Sequence, residues 1–348
     1  MRVLFVSDNG YLPQVNGGVE WSTHELCQVL PKRGVEVAVL ASIIPRGSLG
    51  WINRLRRRSA VWGKWPADTG LGYPVFRGWN LVEGIVDIVQ RWRPDRVVVK
   101  GSTPQLALRS KAMGIPSFFN FHHPLPNLPA DGEWRNLDGF ICCSPFLAGF
   151  QEARFGIRTE VVRPLVRAER CQTTVAPRVA LFFGLQPIKG ADLVLNLAAS
   201  RPDIPFHLVE TWTIDPTATA NLKTKARALP NVRISSPVKD VKRFFQDARL
   251  LLVPSRWDEA WGRVVTEAQV NAIPALASNR GGLPETVGTG GICMDPDADI
   301  LEWRQALSRF WDDEGYFRDM AARAQRSSAR PELQEQAIVD ALMNAIRA

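Results

Sequence analysis

The 348-residue sequence predicts an α/β protein made of two doubly wound units. Three observations support this. Short apolar runs of buried-strand length alternate with amphipathic stretches, the pattern of βαβ units around a parallel sheet. That pattern stops in an aperiodic, proline-containing stretch, "VVRPLVRAERCQTTVAPR" (161–178), and then restarts. The length also suits two domains of ordinary size better than one core.

In the first half, "RVLFVSD" (2–8) reads as a strand, "GVEWSTHELCQVLPKRG" (18–34) as a helix ending near Gly34, and "VEVAVLAS" (35–42) as the next strand. "LVEGIVDIVQRWRP" (81–94) and "TPQLALRSKAMG" (103–114) read as helices; "DRVVVKG" (95–101), "IPSFFNF" (115–121) and "GFICCS" (139–144) read as strands. After the restart, strands are expected at "VALFFGL" (179–185), "IPFHLVE" (204–210), "VRISSP" (232–237), "RLLLVPS" (249–255) and "IPALAS" (273–278). Helices are expected at "GADLVLNLAASRP" (190–202), "KDVKRFFQDA" (239–248), "GRVVTEAQVNA" (262–272) and "LPETVGT" (283–289). Two more follow at 299–313 and 316–329, and "ELQEQAIVDALMNAIRA" closes the chain. The expected division is 1–163, a linker at 164–176, 177–330, and a last helix in 331–348.

Composition narrows the class. With 45% hydrophobic and 22% charged residues the chain is globular. No apolar run approaches the roughly 18–20 residues of a bilayer span. "MRVLFVSDNG" turns polar too quickly for a signal peptide and reads as a strand. Five cysteines, Cys27, Cys142, Cys143, Cys171 and Cys293, form neither an even set nor a metal-binding spacing, so a cytoplasmic setting is expected. The net charge of +8 favours anionic partners. It is concentrated in "GWINRLRRRSAVWGKWP" (50–66), where Arg54, Arg56, Arg57, Arg58 and Lys64 are interleaved with Trp51, Trp62 and Trp65. Such a segment is either an anionic membrane interface, at the inner face of the membrane, or a solvated loop with its tryptophans tucked underneath. No nucleic-acid-binding module accompanies it.

Two loops carry the chemistry. In "GLQPIKGADLVLNLA" (184–198) a strand runs through Lys189 and Gly190 into a helix start. The helix N–H groups, the helix dipole and a lysine suit a phosphate there. Neither a Walker loop nor G-x-G-x-x-G is present, and alone the lysine could be an ordinary surface one. In "LLLVPSRWDEAWGRVVTEA" a strand leads through Glu259 and Trp261-Gly262 to a helix starting near Arg263, with Glu267 on its first turns. Amides around Gly262, Arg263 and Val264 suit a second phosphate contact. Carboxylates accept paired bonds from vicinal hydroxyls, so Glu259 and Glu267 suit a sugar nucleotide; two solvated glutamates beside a turn glycine are the alternative.

"PSRWDEAWGRVVTEA" with "GGLPETVG" resembles the Glu–seven residues–Glu signature of glycosyltransferase family 4, the glycosyl transferases group 1. "DNGYLPQVNGGVEWSTHELCQVLPKRGVEVAVLA" resembles that family's opening strand, Gly-Gly loop and first helix. "FNFHHPLP", "CCS" and "GLQPIKG" follow in the family's order. The resemblance implies a GT-B fold, two Rossmann-like doubly wound domains facing each other across a cleft, with the last helix packing back on the first. It implies a retaining, metal-independent transferase with no cofactor, moving a sugar from a nucleotide diphosphate sugar to a carbohydrate or lipid-linked acceptor in glycan, polysaccharide or glycolipid synthesis. By the same resemblance, Lys189 holds the diphosphate, Glu267 the ribose and Glu259 the transferred sugar. Backbone at Trp261, Gly262, Arg263 and Val264, and at Gly17 and Gly18, approaches the donor. His122 lies near the reacting carbon, with adjacent His123 the competing assignment. His123, Trp21 and Arg57 are the acceptor-side candidates.

This chain also departs from the family pattern. "GLQPIKG" is one residue shorter than G-R-L-x-x-x-K-G and lacks its arginine, for which Arg163, Arg256 or Arg263 could substitute. Glu210 stands where the family has glycine, and "RPL" where it has "PNG". "DPDAD" (295–299) looks like an acidic metal motif, yet its place before a helix suits Asp299 as an N-cap. A GT-B sugar-nucleotide epimerase and a non-catalytic GT-B partner subunit are the alternative functions.

Overall fold

A computed structural model describes residues 1–44, 65–102, 104–125, 127–128, 132–211, 213–236, 238 and 240–347. The chain divides into two compact units, Met1–Leu165 with Glu335–Ala348, and Val166–Gln334.

The first unit is built on a sheet of eight strands among the described residues. These are β1 (Arg2–Ser7), β2 (Glu36–Ser42), β3 (Ala67–Asp68), β4 (Val75–Gly78), β5 (Arg96–Lys100), β6 (Ser117–Phe121), β7 (Gly139–Cys142) and β8 (Glu160–Val161). Their order is β3-β4-β2-β1-β5-β6-β7-β8, and all pairs are parallel except β3 with β4. Helices α1 (Gly18–Val29), α2 (Leu81–Trp92), α3 (Gln105–Lys111) and α4 (Pro145–Phe155) make the crossovers. The aliphatic strand interiors are buried on both faces, as a parallel sheet requires.

The last helix, Glu335–Ala345, belongs to this unit. Ile338, Val339, Leu342 and Ile346 lie in the same core cluster as Val3, Phe5 and Val98. Arg96 Nε also donates to the carbonyl of Ile346 at 2.8 Å.

Among its described residues the second unit has six parallel strands: β9 (Val179–Phe183), β10 (Phe206–Val209), β11 (Val232–Ser235), β12 (Ala248–Val253), β13 (Ala275–Ser278) and β14 (Gly291–Met294). The order β11-β10-β9-β12-β13-β14 reverses direction between β9 and β12, the doubly wound arrangement of dinucleotide-binding sheets. After a single helical turn at Ala168–Cys171, its helices among the described residues are α5 (Ala191–Ser200), α6 (Pro216–Arg227), α7 (Lys242–Phe245), α8 (Arg263–Val270), α9 (Leu283–Val287), α10 (Ile300–Asp312) and α11 (Glu314–Ser328). Strand side chains alternate between two cores. Phe182, Leu250 and Leu252 enter one cluster; Leu181, Leu251 and Val253 enter the other.

Several elements differ from the sequence reading. The stretch read as a linker packs on the second unit, where Asn271 donates to the carbonyl of Cys171 and accepts from the amide of Thr173. In the stretch read as a helix over 239–248, residues 240–248 make only the single turn α7, and Ala248 already pairs with Val179 at the start of β12. As the sequence reading expects, by contrast, Asp299 caps α10, in a capping box with Glu302. Trp65 is fully buried, lying where a side chain on Gly78 or Gly84 would collide with it, so it is no part of an exposed interface. The other residues of the Arg/Trp segment, Arg57 among them, lie outside the described residues.

Leu342 has 1% exposure, so Leu342→Ala is expected to lower stability by about 2–5 kcal/mol. A urea midpoint within error of wild type would show that the terminal helix contributes nothing to this core.

Candidate functional site

In a doubly wound sheet, ligands bind beyond the carboxyl ends of the strands that flank the reversal in strand order. In the second unit those strands are β9 and β12, and the loops that follow them carry Lys189 and Glu259. The two loops are held together by their backbones. The amides of Arg256 and Trp257 donate to the carbonyl of Ile188 at 2.9 and 3.2 Å. Gly190 sits at φ +78° with its α-carbon against the Pro254 carbonyl, which a Cβ would strike. Only glycine meets both conditions at this position.

This close approach brings Lys189 Nζ into hydrogen-bonding contact with Glu259 Oε1, and Ser255 Oγ donates to the same oxygen at 3.1 Å. Both ends of the pair are largely enclosed, with side-chain exposures of 19% and 17%. The Gly281-Gly282 turn fixes the backbone of Glu259. Gly282 N donates to the carbonyl of Glu259 at 2.6 Å, and a Cβ on either glycine would collide with residues 258–260.

Gly262, at φ +82°, is the N-cap of α8. One turn on, Arg263 Nε donates to Glu267 Oε1 at 2.9 Å, and both residues are buried. The sequence reading gave Glu267 no protein partner, yet the i,i+4 spacing was visible. The indole of Trp261 is buried and donates to Thr266 Oγ1 at 3.1 Å. The side chain of Val264 packs against the core. Glu210 pairs with Lys223 at 2.9 Å, and Arg256 with Asp192 at 2.9 Å.

In the first unit the reversal lies between β1 and β5. Asp8 follows β1 and takes the amide of Ser102 on Oδ2 at 2.7 Å; its Oδ1 is buried with no hydrogen-bond partner. Burial raises the Asp8 carboxyl above its ordinary range. Lys100, 4% exposed, reaches the carbonyl of Val19 at 3.3 Å and Glu20 Oε1 at 3.8 Å. Burial lowers this ammonium to about 8, opposed first by Glu20. Glu20 folds back beside Gly17, where a Cβ would meet its carboxylate; Gly18 opens α1.

Lys100, Asn120, His122, Cys143 and Arg163 line one cavity of ≈ 20 Å³, room for about one water. The Oδ1 of Asn120 and the Nε2 of His122 are buried in this unit without hydrogen-bond partners. Burial, then the Lys100 charge, drives His122 down to about 3. His123 is also lowered by burial, with Asp8 opposing. Trp21 packs edge-on against His24, with ring centroids 5.3 Å apart, and leans on the core. Asp8, Glu20, Lys100, Asn120 and Ser255 were missed from sequence. The one available signal was that Asp8 and Ser255 each end a predicted strand and Lys100 is the next-to-last residue of another. Among the described residues no group of three or more His, Cys, Asp or Glu is placed to hold a metal. None of their helices is long and apolar enough to cross a membrane.

Two Rossmann-like units in one chain define an α/β protein of GT-B type, and solved structures agree. Over 99% of its length the chain superposes on a glycosyltransferase from Rickettsia africae (TM-score 0.78, 15% identity, 97% of that chain). It also superposes on Anabaena HepE in complex with UDP and glucose (TM-score 0.76, 17% identity, 99% of this chain and 98% of that one). The family models for "Glycosyltransferase Family 4" and "Glycosyl transferases group 1" match residues 16–170 and 176–327, and the chain belongs to this family. Curated relatives include the D-inositol 3-phosphate glycosyltransferases of Thermobispora bispora (28% identity, 50% of this chain, 45% of that protein) and Nocardioides sp. (30%, 50% and 43%). The chain therefore spans less than half the length of these two relatives.

The two strongly lowered histidines, His122 at about 3 and His207 at about 4, set a pH dependence. Between the ordinary value of 6.5 and about 4, the unfolded chain binds protons that the folded chain does not, so stability falls as pH falls. The melting temperature is expected to drop from pH 7 to pH 5, and His207→Gln should flatten that drop. Equal slopes for variant and wild type would contradict the assignment.

Proposed function

We propose that this chain is a retaining glycosyltransferase that moves a sugar from a nucleotide diphosphate sugar to an acceptor hydroxyl. The observation that carries the reading is the convergence of Lys189, Glu259 and the α8 N-terminus, with Glu267 one turn on, at the strand reversal of the second unit. Cations and amide N–H groups there suit a diphosphate, and the carboxylates suit sugar and ribose hydroxyls. In this reading Lys189 holds the diphosphate, Glu259 the transferred sugar and Glu267 the ribose. Arg256 supplies the second phosphate cation. Its loop is bonded to that of Lys189 and its guanidinium is half exposed, whereas Arg263 is buried on Glu267.

The reaction would proceed on the front face of the sugar. The acceptor oxygen bonds to the anomeric carbon as the bond to the diphosphate oxygen breaks, and a donor phosphate oxygen takes the acceptor's proton. Lys189 and the α8 amides stabilise the charge that develops on the departing diphosphate. The first unit would bind the acceptor beyond β1, β5 and β6, where Asp8, His122 and His123 lie. The names of the curated relatives favour a polyol hydroxyl, with a carbohydrate or lipid-linked acceptor in the same chemical class.

ADP, GDP, UDP and dTDP should be screened by thermal shift. Binding at about 100 times Kd adds about 2.7 kcal/mol, a shift of roughly 5–10 °C for a unit of this size. No shift with any of the four would remove the donor site. Glu267→Gln, which keeps a partner for Arg263, is expected to weaken the preferred diphosphate roughly tenfold or more. Glu267→Ala is the poorer probe because it strands a buried guanidinium.

A further inference from the structure

Glu259 has protein partners of its own besides its suitability for sugar hydroxyls. Its Oε1 is already occupied by the Lys189 ammonium and the Ser255 hydroxyl. This is no chance surface pairing. The lysine loop is pinned by the Gly190–Pro254 approach and by two amide bonds to Ile188, and the glutamate loop by Gly281-Gly282. Both side chains are more than four-fifths enclosed. A phosphate that binds Lys189 must therefore compete with a carboxylate held in place for the same ammonium.

We propose that Glu259 is a specificity determinant that selects sugar-bearing donors over sugar-free nucleoside diphosphates by competing for Lys189. The inference rests on the donor-site reading above. A nucleoside diphosphate that draws Lys189 away leaves Glu259 enclosed, with Ser255 its remaining donor of the two and a new negative charge nearby. An uncompensated charge that is largely enclosed is unfavourable. A nucleotide diphosphate sugar makes the same demand on Lys189 but brings hydroxyls that donate to the released carboxylate. The ammonium thus passes from carboxylate to phosphate as the carboxylate passes from ammonium to hydroxyl. After transfer the hydroxyls leave with the sugar, Glu259 recaptures Lys189, and the diphosphate product is released. Because Ser255 donates to the same oxygen, the carboxylate keeps its orientation while its other partner changes.

The test is calorimetric. The best-binding diphosphate among ADP, GDP, UDP and dTDP, and its glucose conjugate, are titrated into wild type, Glu259→Gln and Glu259→Ala. Melting temperatures confirm that the variants are folded. Both variants are expected to bind the free diphosphate about tenfold more tightly than wild type and the sugar conjugate no more tightly, so the preference for the conjugate collapses. In turnover, both should show stronger inhibition by the diphosphate product. If the variants bind the free diphosphate no more tightly than wild type, the exchange is wrong while the donor site stands. If wild type binds none of the four, the donor-site reading itself fails.

Discussion

The reversal of strand order in each sheet is the constraint on which the rest depends. Strands added outward from a central strand by right-handed crossovers place the helices of the two halves on opposite faces, so the loops beyond the two central strands part and leave room for a ligand. In the second unit those loops follow β9 and β12, and they could not approach without glycine at Gly190, which is at positive φ and whose Cβ would strike the Pro254 carbonyl. In the first unit Asp8 and Gly101 occupy the equivalent place after β1 and β5, again so close that a Cβ on Gly101 would overlap the Asp8 carboxylate. The site residues are where they are because of the topology, and the glycines let their backbones pack there.

That geometry encloses charges, and enclosure dictates how they are arranged. Arg77, fully buried, is held by Asp68 at 2.7 Å and by the carbonyl oxygens of Tyr11 and Leu12. This is a structural pair, with its hydrogen bonds directed at fixed partners. Lys189–Glu259 differs. It sits at the mouth of two loops, retains some exposure, and joins one group suited to phosphate with one suited to hydroxyls. A buried ion pair is weak evidence for stability, because desolvation offsets much of the attraction. Its value here lies in keeping both groups satisfied until a ligand supplies substitutes.

Much of this was legible in the sequence, and what was not had a physical reason. The two βαβ series, the Lys189 loop and the Glu259–Glu267 spacing could be read because each depends on local periodicity or a short motif. Strand β4 and helices α4 and α6 are among the elements the sequence reading does not contain. Val75–Gly78 is too short to show a period, and Pro145–Phe155 follows a strand through a serine cap whose bond to the amide of Leu147 is clear only in three dimensions. The Lys189–Glu259 contact joins residues 70 positions apart, so neither motif implies it. Lys100 reads as an unremarkable strand end; only burial beside Glu20 and His122 shows what it does.

Lys100 bears on the proposed reaction through His122. An imidazole pushed down to about 3 by burial and a neighbouring ammonium is neutral at pH 7. It is also too weak a base to take an alcohol's proton, since general-base catalysis works best when the pKa lies near the operating pH. What it retains is a hydrogen-bonding edge: Nε2 is buried and has no protein partner. In the proposed reaction His122 would therefore not serve as the base. Lowered in the same sense, His123 is no better a base. In the proposed reaction the proton would then go to a group that becomes more basic as the reaction proceeds. In that proposal the departing diphosphate oxygen would gain negative charge as its bond to the sugar breaks and so would meet the requirement that a histidine kept neutral beside Lys100 does not.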